Sequence, residues 1–309
     1  MVKKILILII VLLLIIISLV LFRPNHSISA DDAKKVAMQP HSHFLNWKGN
    51  EIHYTDRGTG KTLLLIHGFG GSFYNFHAIE AQLKDHYRVI NVDIPGAGLS
   101  EFKQSGNENI DFHKEFEDYF EFLIDTLQLD SFSVIGNSLG GAMAWQVAIH
   151  HPEKVQNLIL LASAGYDLEH VIKKGAGPLR YKWTKPVLEK GVPMFLIKYF
   201  VTHPFADKQK VDKEEFKYDY ILSNREGSYA SIIDVAASHQ YPDTNDIKMV
   251  KCPTMIIWGK EDIIIPVDHL QRFKRDIPQA TTKVYSPCGH MPQMELPDSI
   301  YYDVRKFIN

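Results

Sequence analysis

Three side chains far apart in this sequence are of the types that together attack a carbonyl: Ser138, Asp262 and His290. Ser138 stands in Gly136-Asn137-Ser138-Leu139-Gly140, a G-x-S-x-G pattern. The β-formers Phe132, Val134 and Ile135 precede it, and Ala142, Met143, Ala144, Trp145 and Val147 follow it. This predicts a strand that turns directly into a helix with the serine at the turn. Glycines at 136 and 140 remove side chains where strand, turn and helix would collide. The helix start behind the serine offers unpaired N–H groups and a positive dipole end to a developing anion.

A serine at its own pKa is a poor nucleophile and needs a base held by an acid. "MIIWGKEDIIIP" places Asp262 in a loop after an apolar run, and "KVYSPCGHMPQMELP" places His290 after the next run. Glu261 is the rival acid; Asp262 is preferred because its shorter side chain suits a tight loop. An oxyanion site is expected from "LLLIHGFGGS", where Gly68 and Gly70 let backbone approach a substrate. Its donors would be the N–H groups of Phe69 and Leu139, and one such donor is worth about 3–4 kcal/mol of barrier. His67 reads as a structural ring that holds this loop.

The elements that must position these residues follow from the hydrophobic pattern. Short apolar runs at Leu63–Ile66, Val89–Val92, Phe132–Ile135, Leu158–Leu161, Met255–Trp258 and Lys283–Tyr285 suit strands buried on both faces. Phe112, Phe116, Tyr119, Phe120, Leu123, Ile124 and Leu127 recur at helical spacing. Strand alternating with helix predicts a parallel sheet covered on both sides, with Glu51–Tyr54 adding an antiparallel start. From 166 to 247 no buried-strand run appears, which predicts an inserted helical cap between core halves at 45–165 and 248–309.

The net charge of −2 supplies no field for nucleic acid, and no metal-ligand spacing or phosphate loop is present. No cofactor is expected. Cys252 and Cys288 would lie at opposite ends of neighbouring parallel strands, about 15–20 Å apart, too far for a disulfide. From Ile5 to Phe22 every residue except Ser18 is apolar. Eighteen residues at ~1.5 Å each span about 27 Å, near the hydrocarbon thickness of a bilayer. Residues 1–23 therefore read as a single-pass N-terminal membrane anchor, with a signal peptide cleaved after Ile28-Ser29-Ala30 as the alternative, although the apolar run is longer than the ~7–15 residues usual there. Residues 24–44 read as a polar tether. Lys3 and Lys4 favour a catalytic domain on the non-cytoplasmic side.

Five blocks occur in order: "HGFGGS", "DIPGAGLS", "GNSLGG", "WGKEDIIIP" and "CGHMPQMELP". In these the chain resembles the α/β-hydrolase superfamily from about His43 to Asn309. The resemblance implies an α/β-hydrolase fold: an eight-stranded, mostly parallel sheet with helices on both faces and a helical cap over the site. A serine at 138 sets the chain apart from relatives that use aspartate there. The layout of apolar leader plus hydrolase resembles membrane-anchored monoacylglycerol lipases. It implies cleavage of a lipophilic carboxylic ester through an acyl-enzyme on Ser138. A second resemblance, in "GNSLGG", Asn75 of "SFYNF" and "GHMPQMELP", is to C–C bond hydrolases of vinylogous diketones, although Met291 stands where that group usually carries an aromatic residue. A cofactor-free perhydrolase and a non-catalytic binding protein on the same fold are the remaining alternatives.

Overall fold

A computed structural model describes residues 24–103, 110–166, 181–238 and 243–309. In chain order the elements are α1 (Ala30–Ala37), β1 (Ser42–Trp47), β2 (Asn50–Arg57), β3 (Thr62–Ile66), α2 (His77–Leu83), β4 (Arg88–Val92), α3 (Phe112–Thr126), β5 (Phe132–Asn137), α4 (Leu139–His150) and β6 (Val155–Leu161). Then come α5 (Lys185–Leu188), α6 (Met194–Thr202), α7 (Lys213–Ser223), α8 (Ser228–Ser238), β7 (Thr254–Gly259), α9 (Asp268–Asp276), β8 (Thr281–Tyr285), α10 (Pro292–Glu295) and α11 (Pro297–Ile308). The strands form one eight-stranded sheet in the order β1-β2-β4-β3-β5-β6-β7-β8. β1, β2 and β4 pair antiparallel, and every pair from β4 to β8 is parallel.

Each of the six apolar runs lies in a strand; five are buried on both sides, whereas Lys283–Tyr285, expected to be buried likewise, lies in the edge strand β8 and is largely exposed, with Val284 46% exposed. Period-two alternation sends Leu64 and Ile66 to one face and Leu63 and Leu65 to the other, yet all four are fully buried. The first face packs on α3, α4 and α9 through Tyr119, Leu123, Trp145 and Phe273. The second packs on α2 and α11 through Ile79, Leu83, Ile300 and Val304. Polar alternation is not needed where neither face meets water. Because β3 to β8 run parallel, the loops carrying His67, Asp93, Ser138, Asp262 and His290 all leave the same edge of the sheet.

The segment 24–44 departs from the expected tether. Ser29 caps α1 by accepting the Asp32 N–H at 3.1 Å, with acidic residues in the first turn and Lys34 and Lys35 in the last. Ala33 and Ala37, one turn apart, are fully buried against Phe73, Tyr74, Leu99 and Leu222. Upstream, the His26 N–H donates to Lys190 O at 2.7 Å and the Ile28 N–H to Asn224 O at 2.8 Å, while Ile28 O accepts from the Glu226 N–H at 2.9 Å. This stretch is thus packed between the sheet and the insertion. The composition hid it because only two small residues turn inward. β1 was likewise absent from the sequence reading, its half-exposed edge giving no continuous apolar run.

The membrane location is also corrected. Among the described residues, no helix is long and apolar enough to cross a membrane. Residues 1–23, on which the anchor was placed, lie outside the described residues, as do 167–180 and 239–242 of the expected cap. The membrane assignment is carried no further. Both cysteines are free and buried.

Ala33→Asp forces α1 either to bury an unpaired carboxylate or to detach. The expected cost is about 2–3 kcal/mol, or a fall in Tm of roughly 5–10 °C. Val36→Asp on the exposed face of the same helix should leave Tm nearly unchanged. Equal melting of the two variants in a thermal scan would contradict the packing.

Candidate active site

The turn between β5 and α4 is built on backbone strain. Ser138 adopts φ 55° and ψ −119°, left-handed territory that costs a non-glycine residue about 1–3 kcal/mol. A Cβ on Gly136 would lie 2.2 Å from Gly140 O, and one on Gly140 would lie 2.2 Å from Ile66 O. Only glycine admits so close an approach. The turn is pinned from outside as well: the Ser138 N–H donates to Leu161 O at 3.1 Å, and Ser138 O accepts from the Ala164 N–H at 2.9 Å.

Asp262 and His290 are brought together from consecutive strand ends. His290 Nδ1 lies 2.8 Å from Asp262 Oδ2. The other oxygen of Asp262 accepts the N–H groups of Ile264 at 2.8 Å and Ile265 at 2.9 Å, so the carboxylate has one orientation. A carboxylate can only accept, so Nδ1 carries the imidazole hydrogen and Nε2 is left as the acceptor. Both residues are buried. His290 is drawn alongside the nucleophile turn by the Asn137 amide, which donates to His290 O at 3.2 Å.

Glu261 is placed elsewhere. It accepts from the Cys288 N–H at 2.9 Å and the Ser286 hydroxyl at 2.7 Å. Those bonds, the Cys288 N–H first, hold its carboxyl below the usual range. It braces the loop that carries His290.

Of the expected oxyanion donors, Phe69 lies on the loop after β3 and Leu139 opens α4 directly after the nucleophile. Among the described residues, no protein acceptor takes the N–H of Phe69 or of Leu139. For Leu139, the first residue of α4, that follows from helix geometry. Gly68 lies against the nucleophile, since a Cβ there would sit 3.0 Å from Ser138 Cβ. Gly70 lines a small cavity with Gly71, Ser72, Gly98 and Leu222, between this loop and the insertion. His67 is fully buried, with Nδ1 2.8 Å from Gly68 O and Nε2 accepting the Ile94 N–H at 3.1 Å. Burial lowers its pKa, so the ring is neutral and structural. Asn75 supports the same loop by accepting the Ser72 N–H at 3.1 Å.

One residue of the site's foundation had no role in the sequence reading. Asp93, fully buried at the end of β4, accepts the Phe73 N–H at 2.7 Å and the Leu99 N–H at 2.9 Å, and pairs with His53 Nδ1 at 2.7 Å. Burial pushes its carboxyl up, but the bonds from His53 and Leu99 outweigh that and hold it below the usual range. The "DIPGAGLS" block was its only signal. Among the described residues, no group of three or more His, Cys, Asp or Glu is placed to hold a metal.

With this geometry the chain can be set beside known proteins. A family model described as alpha/beta hydrolase fold matches residues 61–297. The 2-hydroxy-6-oxononadienedioate/2-hydroxy-6-oxononatrienedioate hydrolase of Paraburkholderia phymatum is 29% identical over 254 residues, covering 79% of this chain and 86% of that protein. The meta-cleavage product hydrolase of Pseudomonas fluorescens IP01 superposes with a TM-score of 0.71 at 25% identity, covering 86% of this chain and 97% of that one. A membrane phospholipase A described as a bacterial virulence factor superposes with a TM-score of 0.70 over 99% of this chain and 98% of that one, and at 22% identity the likeness is one of fold alone. These relatives correct the reading of a lipophilic carboxylic ester: several matched sequences are named as hydrolases of 2-hydroxy-6-oxononadienedioate, 2-hydroxy-6-oxononatrienedioate or 2-hydroxy-6-oxo-2,4-heptadienoate. A triad and an oxyanion site serve any carbonyl attack, so they did not distinguish the two.

Two outcomes follow from the geometry. Asp262→Asn should cut the rate of Ser138 labelling by a fluorophosphonate by up to ~10⁴ through the wrong His290 tautomer, with Glu261→Gln far milder; the reverse ranking would reassign the acid. Asp93, with its folded pKa depressed, contributes stability fully above its unfolded value of about 3.9, and loses it as pH falls through the folded value. Asp93→Asn should therefore lower Tm at pH 7 and flatten the fall of Tm below about pH 4. An unchanged acid limb would show that Asp93 is not a source of it.

Proposed function

The chain belongs to the α/β-hydrolase fold family, and on that premise we propose that it is a C–C bond hydrolase acting on a vinylogous diketone of the 2-hydroxy-6-oxo-dienoate class. The observation that carries the reading is the match to hydrolases so named along 79% of this chain and 86% of theirs. The intact Ser138, Asp262 and His290 set and the placement of Asn75 support it. Met291 remains a departure from the usual pattern of that group.

In this reading the bound dienol first ketonises, the 2-hydroxyl losing its proton as carbon 5 gains one; Ser138 Oγ then adds to the 6-oxo carbon, and its proton passes to Nε2 of His290. Asp262 stabilises the imidazolium. The oxyanion lies toward the N–H groups of Phe69 and Leu139. The intermediate collapses by breaking the bond between carbons 5 and 6. The electron pair is delocalised into the conjugated 2-oxo system, and that fragment takes the proton from His290 as it leaves. A water deprotonated by His290 then cleaves the acyl-enzyme and frees Ser138. One water is consumed, and a carboxylic acid and a dienol are released.

In the same reading, residues 45–165 and 248–309 are the catalytic core, and 166–247 is a cap whose described helices α5 to α8 lie between β6 and β7. The substrate is a small molecule that enters between cap and sheet edge.

The test follows the loss of dienol absorbance with the purified full chain. The ring-fission substrate should exceed p-nitrophenyl butyrate by about a hundredfold in kcat/KM. Ser138→Ala should remove up to ~10⁶ of kcat with the fold intact. A preference for the ester, or a variant that keeps more than about a hundredth of the activity, would defeat the proposal.

A further inference from the structure

Glu295 sits in the turn that follows the histidine loop, is buried, and joins two parts of the molecule that are distant in sequence. Its Oε1 accepts the Gly289 N–H at 2.7 Å, on the residue before His290. Its Oε2 accepts the Ala206 N–H at 3.0 Å, in the insertion between β6 and β7. Two more bonds tie the same parts: the His290 N–H donates to Pro204 O at 2.8 Å, and Lys210 Nζ donates to Glu295 O at 2.9 Å. The fit is close. A Cβ on Gly289 would lie 2.3 Å from Pro204 O and 2.7 Å from Ala206 N, so a side chain there would push the insertion away.

From this arrangement we infer that Glu295 is a positioning residue: its carboxylate locks the Pro204–Ala206 turn of the insertion to the loop that carries His290, so that the base is aligned only while the insertion is docked. The inference rests on the reading of His290 as the base. The argument is one of valence and stiffness. A carboxylate has two acceptor oxygens in a fixed plane, and here each is taken by a different chain segment. If Ala206 moves away, Oε2 loses its donor, and the carboxylate turns or withdraws. Gly289 then loses its own fixed acceptor. The His290 N–H loses Pro204 O in the same movement, so the imidazole ring is released from two sides. Displacement of a catalytic group by about 1 Å is enough to cost on the order of a hundredfold in rate.

The donors around the carboxyl fit this use. Burial raises the Glu295 carboxyl above the ordinary range, opposed by the N–H groups of Gly289, Ala206, Asp207 and Met291, which all favour the charged form. The two N–H groups, of Gly289 and Ala206, each point at a carboxyl oxygen and call for an acceptor there. An amide in its place keeps one acceptor and turns an NH₂ toward an N–H.

The experiment uses the full chain and measures two things: the second-order rate of Ser138 labelling by a fluorophosphonate, and kcat and KM on the ring-fission dienol. Glu295→Gln should lower the labelling rate and kcat by the same factor, about 10- to 100-fold, with KM within about twofold. Glu295→Ala should lose more. Lys210→Met cuts only the exposed lysine's bond and should lose less, in the same direction. Circular dichroism and Tm establish that each variant is folded. A folded Glu295→Gln protein that labels within about twofold of wild type, or a loss confined to KM, overturns the coupling. Wild type that takes no label overturns the base assignment and this inference with it. Wild type that labels normally but leaves the dienol intact overturns the substrate reading alone, and the labelling rates then decide on Glu295.

Discussion

Ser138 occupies backbone territory that a side-chain-bearing residue enters only under constraint, and the constraint comes from every direction at once. The ends of β3, β5 and β6 press on one turn: Ile66 O crowds Gly140, Leu161 O accepts the Ser138 N–H, and Ala164 returns a hydrogen bond to Ser138 O. The same turn starts α4, whose first N–H meets no acceptor among the described residues. A half-buried serine at a sheet edge, with helix N–H groups beside it, is therefore a by-product of forcing a strand into a helix without a loop. The parallel sheet is what makes this useful, since it delivers the other chemical groups to the same edge.

Carboxylates do most of the arranging there, and they do it differently. Asp262 spends one oxygen on the N–H groups of Ile264 and Ile265 and keeps the other for His290. Asp93 gathers β2, β4 and the two loops that follow β3 and β4 around a buried charge. Glu261 works from the exposed side, bracing the start of the histidine loop. All are fixed by backbone N–H groups, the donors that lose no side-chain entropy when they bind.

The parts legible in the sequence were those with a strong local signature. Strands such as Leu63–Ile66 showed because burial on both faces leaves an unbroken apolar run. Ser138 showed because the elbow requires glycine where few residues fit. Asp262 was separable from Glu261 only by side-chain length. What stayed hidden was set by distant partners. Ala33 and Ala37 look unremarkable until Phe73 and Leu222 close over them. Asp93 looks like any loop aspartate until His53 arrives from another strand. The bond to be cleaved was illegible for a chemical reason: the attacking half of the site is common to esters and ketones, and only the leaving fragment tells them apart. The apolar run at Ile5–Phe22 then drew the reading toward lipid.

The packed N-terminal stretch bears on how this chain reaches its fold. His26 meets Tyr220 across 194 positions, and Ile28 bridges to Arg225. A ribosome delivers residues at about 5–20 per second, so the stretch emerges many seconds before its partners exist. Until the insertion has been made it cannot dock, and β1 lacks a complete sheet edge until β4 is there to hold β2. Contacts of such long sequence separation close late and slow the search. Residues made early are thus secured only once the insertion they pack against has followed.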